Sequence, residues 1–210
     1  MEDILELYQR PYNPNVPLIC MDEQPIQLIN EVRTPLPPGP NRVERYDYEY
    51  QRNGTANVFM FTESLNGWRK VSIREKKKKE DWAMEIRSLM TEDYPDADRV
   101  ILVCDNYNTH TIGALFRTFD PEEAAGIMKR LEIHPTPKHG SWLNIAEIEL
   151  SALTRQCFNN RRIGDLESVR SEIKVWERSR NSNQKSVDWQ FTAKDARVKL
   201  KRLYPQIKMA

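Results

Sequence analysis

Short apolar runs that end in an acidic residue are the feature that most constrains the fold. Residues 16–21 read Val-Pro-Leu-Ile-Cys-Met and precede Asp22, and residues 100–104 read Val-Ile-Leu-Val-Cys and precede Asp105. Such runs are typical of strands buried on both faces of a parallel sheet. Ligands of an open α/β sheet gather at the carboxyl ends of these strands. The pattern predicts that Asp22 and Asp105 follow adjacent strands and lie near each other.

The other periodic stretches predict that helices pack on the faces of a mixed sheet, an α/β fold. Strands are expected at residues 57–61 and 68–73, joined at Asn66-Gly67, and Asn53-Gly54 is a further turn signal. Trp82, Ile86, Leu89 and Met90 mark one face of an amphipathic helix. The remaining expected elements are a lead-in helix within residues 1–12, helices at 111–119, 121–131 and 144–158, a strand at 132–135, and helices capped by Asp165 and Thr192, the last ending before Pro205.

Composition narrows the class of protein. Charged residues make up 30% of the 210 residues and the mean hydropathy is −0.73. No apolar run approaches the roughly 20 residues that span a bilayer, and the acidic start lacks the basic region of a signal peptide. The three cysteines form no Cys-x-x-Cys pair and are expected to be buried and inert. A cytoplasmic protein is predicted.

The charge is divided unevenly along the chain. From Ser151 onward there are 14 Lys and Arg against 6 Asp and Glu, a net charge of +8, whereas the first 150 residues carry −7. This division fits a nucleic-acid enzyme with a basic helical C-terminal extension, and it equally fits ordinary solvated helices. Three segments are predicted: a lead-in at 1–14, a catalytic domain at 15–160 and the extension at 161–210. Candidate DNA contacts in the extension are Arg161, Arg162, Lys194, Arg197, Lys199, Lys201 and Arg202.

A third acidic residue and several polar neighbours accompany the pair. Carboxylates brought together from distant positions suit hard divalent cations, and two such ions support in-line phosphoryl transfer. The stretch Leu143–Leu150 contains two candidates, Glu147 and Glu149. Helical periodicity places Glu149 toward the apolar face, but it does not decide which of the two binds metal. Neighbouring residues expected to order the site or contact phosphate are Asn106, His110, Lys138, His139 and Asn144. The histidines lack the spacing of a zinc finger.

These residues resemble a known family. Asp22 after a strand, the string CDNYNTH with Asp105, and TPKHGSWLNIAEIE with Glu147 are similar to the DDE transposases of bacterial insertion sequences in the mariner superfamily. The resemblance, supported by RYDYEYQRNGT and RLYP, extends over nearly the whole chain. It implies a ribonuclease-H-like fold and two Mg²⁺ or Mn²⁺ ions held by Asp22, Asp105 and Glu147. Glu149 is then a neighbour that supports the ligands.

The same resemblance implies an activity and partners. Enzymes of this family cleave transposon ends and join the freed 3′-hydroxyl to target DNA, acting as dimers on double-stranded DNA. They place helix-turn-helix modules ahead of the first catalytic strand, and none is recognisable here. We therefore expect a catalytic domain alone: one half of a split or frameshifted reading frame, a truncated remnant, or a piece cut from a longer protein. In the first case a separate helix-turn-helix polypeptide would be its partner. A silent nucleic-acid-binding module and a nuclease that cuts without joining are the alternatives.

Overall fold

The computed structural model describes residues 1–183 and 186–204. The strands are β1 (Leu18–Glu31), β2 (Tyr50–Glu63), β3 (Trp68–Arg74), β4 (Val100–Cys104) and β5 (Leu131–Pro135). The α-helices are α1 (Glu2–Tyr8), α2 (Lys79–Ser88), α3 (Ile112–Thr118), α4 (Pro121–Arg130), α5 (Ala146–Leu153), α6 (Leu166–Ser182) and α7 (Ala193–Lys199). Wider π-helical turns continue α2 over Leu89–Asp93 and α5 over Thr154–Phe158, and 3₁₀ turns lie at Ser141–Leu143 and Lys201–Leu203.

The sheet is mixed, as predicted. Its strand order is β3-β2-β1-β4-β5. The first three strands form an antiparallel meander, and β4 and β5 join parallel to β1. Alternate residues of β1 enter two separate apolar cores: Cys20 packs with residues of α1, α5 and α6, and Met21 packs with residues of α2, α3 and α4. All three cysteines are buried and free, in agreement with the prediction.

The first strand does not end at Met21, which corrects the sequence-based boundary. Pairing with β4 stops at Cys20–Val103, but pairing with β2 continues to Glu31–Tyr50. Asp22 therefore lies inside a long strand, just past the point where β4 separates from β1. Pro25 is tolerated further along the strand because β4 no longer pairs with β1 there, so that side of β1 needs no hydrogen bond from a backbone N–H.

Asn53-Gly54 is not a turn, contrary to expectation. The β1–β2 register changes there, because Gln27 faces Thr55 while Ile29 faces Arg52. One extra residue on β2 makes this a β-bulge, and Gly54 supplies the positive φ of 102°. The second signal is correct: β2 and β3 form a hairpin at Asn66-Gly67, where Gly67 has a φ of 73°.

The C-terminal helices are built into the fold. Asp165 and Thr192 cap α6 and α7, as predicted. Val169, Ile173 and Trp176 of α6 are buried in the core against β3, although the sequence placed this helix in a basic extension. The boundary at residue 160 stays a prediction, and Pro205 lies outside the described residues. No helix in the described ranges is long and apolar enough to cross a membrane.

Candidate active site

Asp105 and Glu147 both act electrostatically on Asp22 at one edge of the sheet, although the three side chains come from separate elements. Asp22 belongs to β1, Asp105 directly follows β4, and Glu147 lies in the first turn of α5. Burial raises the pKa of Asp22 to about 6, and the negative charges of Asp105, Glu147 and Glu23 add to that shift. A hydrogen bond from the Glu23 amide to Asp22 Oδ1, at 2.7 Å, opposes it. Mutual repulsion among carboxylates is the electrostatic condition under which a cation binds favourably.

Asn144 connects the start of α5 to β1. Its side chain is buried, and its Nδ2 donates to the Met21 carbonyl at 2.8 Å. Its Oδ1 accepts from the Ala146 amide at 3.2 Å, and its carbonyl accepts from the Glu147 amide at 3.1 Å. The residue beside Asp22 and the helix that carries Glu147 are therefore held by one side chain. The role of Asn144 in ordering the site stays a prediction.

Glu149 faces the interior, as its place on the helical wheel predicts, and it binds arginines there. Its carboxylate accepts from Arg69 Nη2 at 2.8 Å and from Arg180 Nη2 at 2.9 Å. Burial disfavours the ionised form, but the two arginines outweigh burial and hold the pKa of Glu149 below its usual range. Since this carboxylate is committed to two cations, Glu147 is the better placed of the two for the acidic edge. A supporting role of Glu149 toward a metal stays a prediction.

His110 bridges two carboxylates. Its Nδ1 lies 2.6 Å from Asp105 Oδ1 and its Nε2 lies 3.0 Å from Glu23 Oε1. Burial lowers the pKa of His110, but the hydrogen bonds to its acidic partners outweigh burial and raise it. The predicted role of His110 in ordering the site or contacting phosphate stays a prediction. His134 instead contacts Asp3 and Glu132, away from the acidic edge.

Sequence reasoning missed Glu23 and Lys77. The Glu23 side chain is almost fully buried, with Oε2 3.9 Å from Lys77 Nζ, and Lys77 also lies over the Tyr107 ring at 5.4 Å. The signals in the sequence were that Glu23 is next to Asp22 and that Lys77 lies in a run of four lysines at residues 76–79. Neither signal pairs them with His110, which is 87 residues from Glu23.

Two open clefts flank the acidic edge, each with a volume of about 400 Å³. One is lined by Asp105 together with the predicted residues Asn106, Lys138 and His139. The other is lined by Glu23, Gln24, Glu147, Ser151, Thr154 and Arg155, among others. The acidic group therefore lies between two open clefts.

Gly140 shapes the loop along the first cleft, and its substitution gives a sharp prediction. A Cβ built at Gly140 would lie 2.6 Å from Pro137 Cγ, so Gly140→Ala forces the loop apart. We expect the free energy of unfolding to fall by about 1–3 kcal/mol, which is typical of overpacking. Gly126→Ala in α4 is the matched control: a Cβ there meets nothing within 4 Å, and it should stabilise by about 0.5–1 kcal/mol through helix propensity. Urea denaturation of both variants measures the difference, and equal stabilities would contradict this account of the loop.

Several basic residues proposed to contact DNA are engaged within the protein. Arg161 forms a two-pronged pair with Glu172, Arg162 binds Glu31 and the carbonyls of Asp47 and Glu49, and Arg197 binds Glu2. Lys199 lies 3.8 Å from Asp195. Exposed basic side chains are also present at Lys194, Lys201 and Arg202. The DNA-binding role of this set stays a prediction.

Comparisons with known proteins identify the family of this chain. Residues 17–170 match the family model of the DDE superfamily endonucleases. A comparison with curated protein sequences gives no match.

Solved structures of Mos1 mariner proteins share the fold. The paired-end complex with Mn aligns at 18% identity and a TM-score of 0.55, over 85% of this chain and 52% of that chain. The Mos1 mariner transposase catalytic domain aligns at 16% identity and a TM-score of 0.55, over 85% and 77%. The Mos1 strand transfer complex aligns at 17% identity and a TM-score of 0.58, over 88% and 53%. The chain thus spans about half the length of the proteins in the two complexes, and these matches confirm the ribonuclease-H-like fold. With its family-model match over most of its length, its mixed sheet and its acidic edge, the chain belongs to the DDE superfamily of endonucleases.

Proposed function

We propose that this protein is the catalytic domain of a cut-and-paste DNA transposase, cleaving DNA and joining a 3′-hydroxyl to target DNA with the help of divalent metal. The observation that carries the proposal is that the charges of Asp105 and Glu147, which come from two other elements, both act on Asp22 and raise its pKa. Their oxygen donors are the type that Mg²⁺ and Mn²⁺ prefer. A bound cation would offset this repulsion, so the donor set fits the group.

The three carboxylates would bind metal together with other ligands. Within residues 1–183 and 186–204, no three His, Cys, Asp or Glu side chains form a ready cluster that could hold a metal ion. Magnesium sites in phosphoryl transfer are commonly made by one or two carboxylates together with water and substrate phosphates. We infer that Asp22, Asp105 and Glu147 would hold two ions jointly with a DNA phosphate.

The surrounding residues have separate tasks in this proposal. Two divalent ions, when bound, activate the attacking water or 3′-hydroxyl and stabilise the leaving oxygen. Asn144 fixes α5 against β1 and thereby orients Glu147. Lys138, His139 and Asn106 line the cleft beside Asp105, where they would contact the DNA backbone.

DNA is the proposed substrate because of both the site and the relatives. The structurally similar Mos1 proteins were solved as a complex with a left transposon end and as a strand transfer complex. For this chain we propose double-stranded DNA as transposon end and target, a homodimer assembled on it, and a separate helix-turn-helix polypeptide for end recognition. Bacterial DNA as substrate would place the protein in the cytoplasm at the nucleoid.

Metal dependence provides the first test. The full chain is incubated with a labelled DNA duplex that ends in a free 3′-hydroxyl and with supercoiled plasmid, in Mn²⁺, Mg²⁺, Ca²⁺ or EDTA. We expect nicking and joining of the duplex to plasmid in Mn²⁺ and Mg²⁺, and neither in EDTA. Cleavage without joined product would favour a plain nuclease, and DNA binding without cleavage in any metal would favour a silent binding module.

A further inference from the structure

We propose that Glu23 and His110 form a positioning pair that fixes Asp105 relative to β1 and leaves one carboxylate oxygen of Asp105 for metal. The inference rests on the proposed function and concerns residues that hold a ligand in place. Glu23 anchors His110, and His110 in turn orients Asp105.

The need for such a pair follows from the sheet. Parallel pairing between β1 and β4 ends at Cys20–Val103, one residue before β4 itself ends. Asp22 and Asp105 both lie past that point, so the β1–β4 backbone ladder no longer sets their separation. The bridge from Glu23 through His110 to Asp105 spans this gap.

The bridge is held rigidly from several directions. The side chains of His110 and Glu23 are 2% and 5% exposed, while that of Asp105 is 47% exposed. The His110 ring stacks on Trp82 at 5.8 Å and meets the Tyr107 ring edge at 6.0 Å. Lys77 approaches the second oxygen of Glu23 at 3.9 Å. His110 and Glu23, which are buried and closely packed, therefore hold Asp105, whose half-exposed carboxylate is accessible to a metal ion.

The bridge also selects which oxygen of Asp105 is available. Oδ1 lies 2.6 Å from His110 Nδ1 and accepts from the Tyr107 amide at 3.3 Å. Oδ2 has neither of these contacts, and it is the atom we assign to metal binding. Groups that orient a metal ligand in this way are known to change metal affinity by about 10- to 100-fold when they are removed.

The test measures Mn²⁺ binding by electron paramagnetic resonance to the full chain mixed with a cleavage-resistant phosphorothioate DNA duplex, because a DNA phosphate completes the proposed site. Binding to the duplex alone is subtracted, and the readout is metal binding and not cleavage. We expect His110→Ala and Glu23→Ala to weaken Mn²⁺ binding by about 10- to 100-fold. Glu23→Gln keeps an acceptor oxygen for His110 Nε2, so it should retain most of the affinity. His134→Gln is the matched control, because His134 also bridges two carboxylates but does so on β5. It should bind Mn²⁺ like the wild type.

The outcomes separate this inference from the proposed function. Wild-type affinity in both alanine variants, with weak binding by Asp105→Asn, would overturn the positioning pair and leave the proposed function standing. Wild-type protein that binds Mn²⁺ no better than Asp105→Asn would overturn both. If circular dichroism shows that the alanine variants do not fold, His110→Gln and Glu23→Gln decide. His110→Gln cannot reach both carboxylates, so weaker binding by this variant alone supports the pair, and equal binding by the two contradicts it.

Discussion

Asp105→Asn is expected to abolish metal-dependent DNA cleavage by the full chain. The substitution keeps the size of the side chain but removes the charge that a divalent cation requires. Because metal stabilisation of a phosphoryl-transfer transition state is worth several kcal/mol, the cleavage rate should fall by about a thousandfold or more. Single-turnover nicking of the labelled duplex in Mn²⁺ measures the rate directly.

The control residue for this prediction lies at the other end of β4. Asp98 is exposed and precedes β4, so Asp98→Asn removes one negative charge without approaching the acidic edge. We expect cleavage by Asp98→Asn to match the wild type. Equal losses in both variants would mean that overall charge, and not the site, governs the rate, and an active Asp105→Asn variant would remove Asp105 from the metal site.

Glu149→Gln should mainly lower stability and Glu147→Gln should mainly abolish cleavage, although the two residues are close together on α5. Glu149→Gln removes the negative charge that the buried guanidinium of Arg69 shares with that of Arg180. Breaking a buried ion pair from one side costs about 3–5 kcal/mol, and we expect the lower end because Arg180 is a quarter exposed. Equilibrium urea denaturation gives the free energy of unfolding.

Glu147→Gln is the paired comparison. Its side chain is only partly buried, so stability should change by no more than about 0.5 kcal/mol, while cleavage should be lost with the third ligand. If Glu149→Gln proved as stable as the wild type and inactive in cleavage, the assignment of the two glutamates would have to be reversed.

The Glu149 cluster also predicts a pH dependence of stability. The folded pKa lies below the ordinary value of 4.5, so the stabilisation by this carboxylate is complete above that value. It is lost as the pH falls through the lowered pKa. The difference in stability between wild type and Glu149→Gln should therefore shrink below pH 4.5, as measured by urea denaturation at a series of pH values.

The sequence was sufficient for most elements because their signals are local. The apolar run before Asp105 predicts a buried strand, and the spacing of Trp82, Ile86 and Leu89 predicts the buried face of α2 and its continuation. The signal at Asn53-Gly54 is equally strong locally but was misleading. A glycine with positive φ serves a bulge as well as a turn, and only the pairing of β2 with β1 distinguishes them.

The candidate site, like the fold, was predictable from the sequence only in part. The sequence by itself determined which carboxylates are available and that Asp105 follows a central strand; its resemblance to a known family selected Glu147. Only the tertiary structure decided that Asp22 lies inside a long strand, that Glu149 is held by two arginines, and that Glu23 and His110 support Asp105. The contacts of Glu149 with its two arginines and of Glu23 with His110 join residues 31 to 87 positions apart. Local periodicity specifies the face on which a side chain lies, whereas its partner is specified by the packing of distant elements.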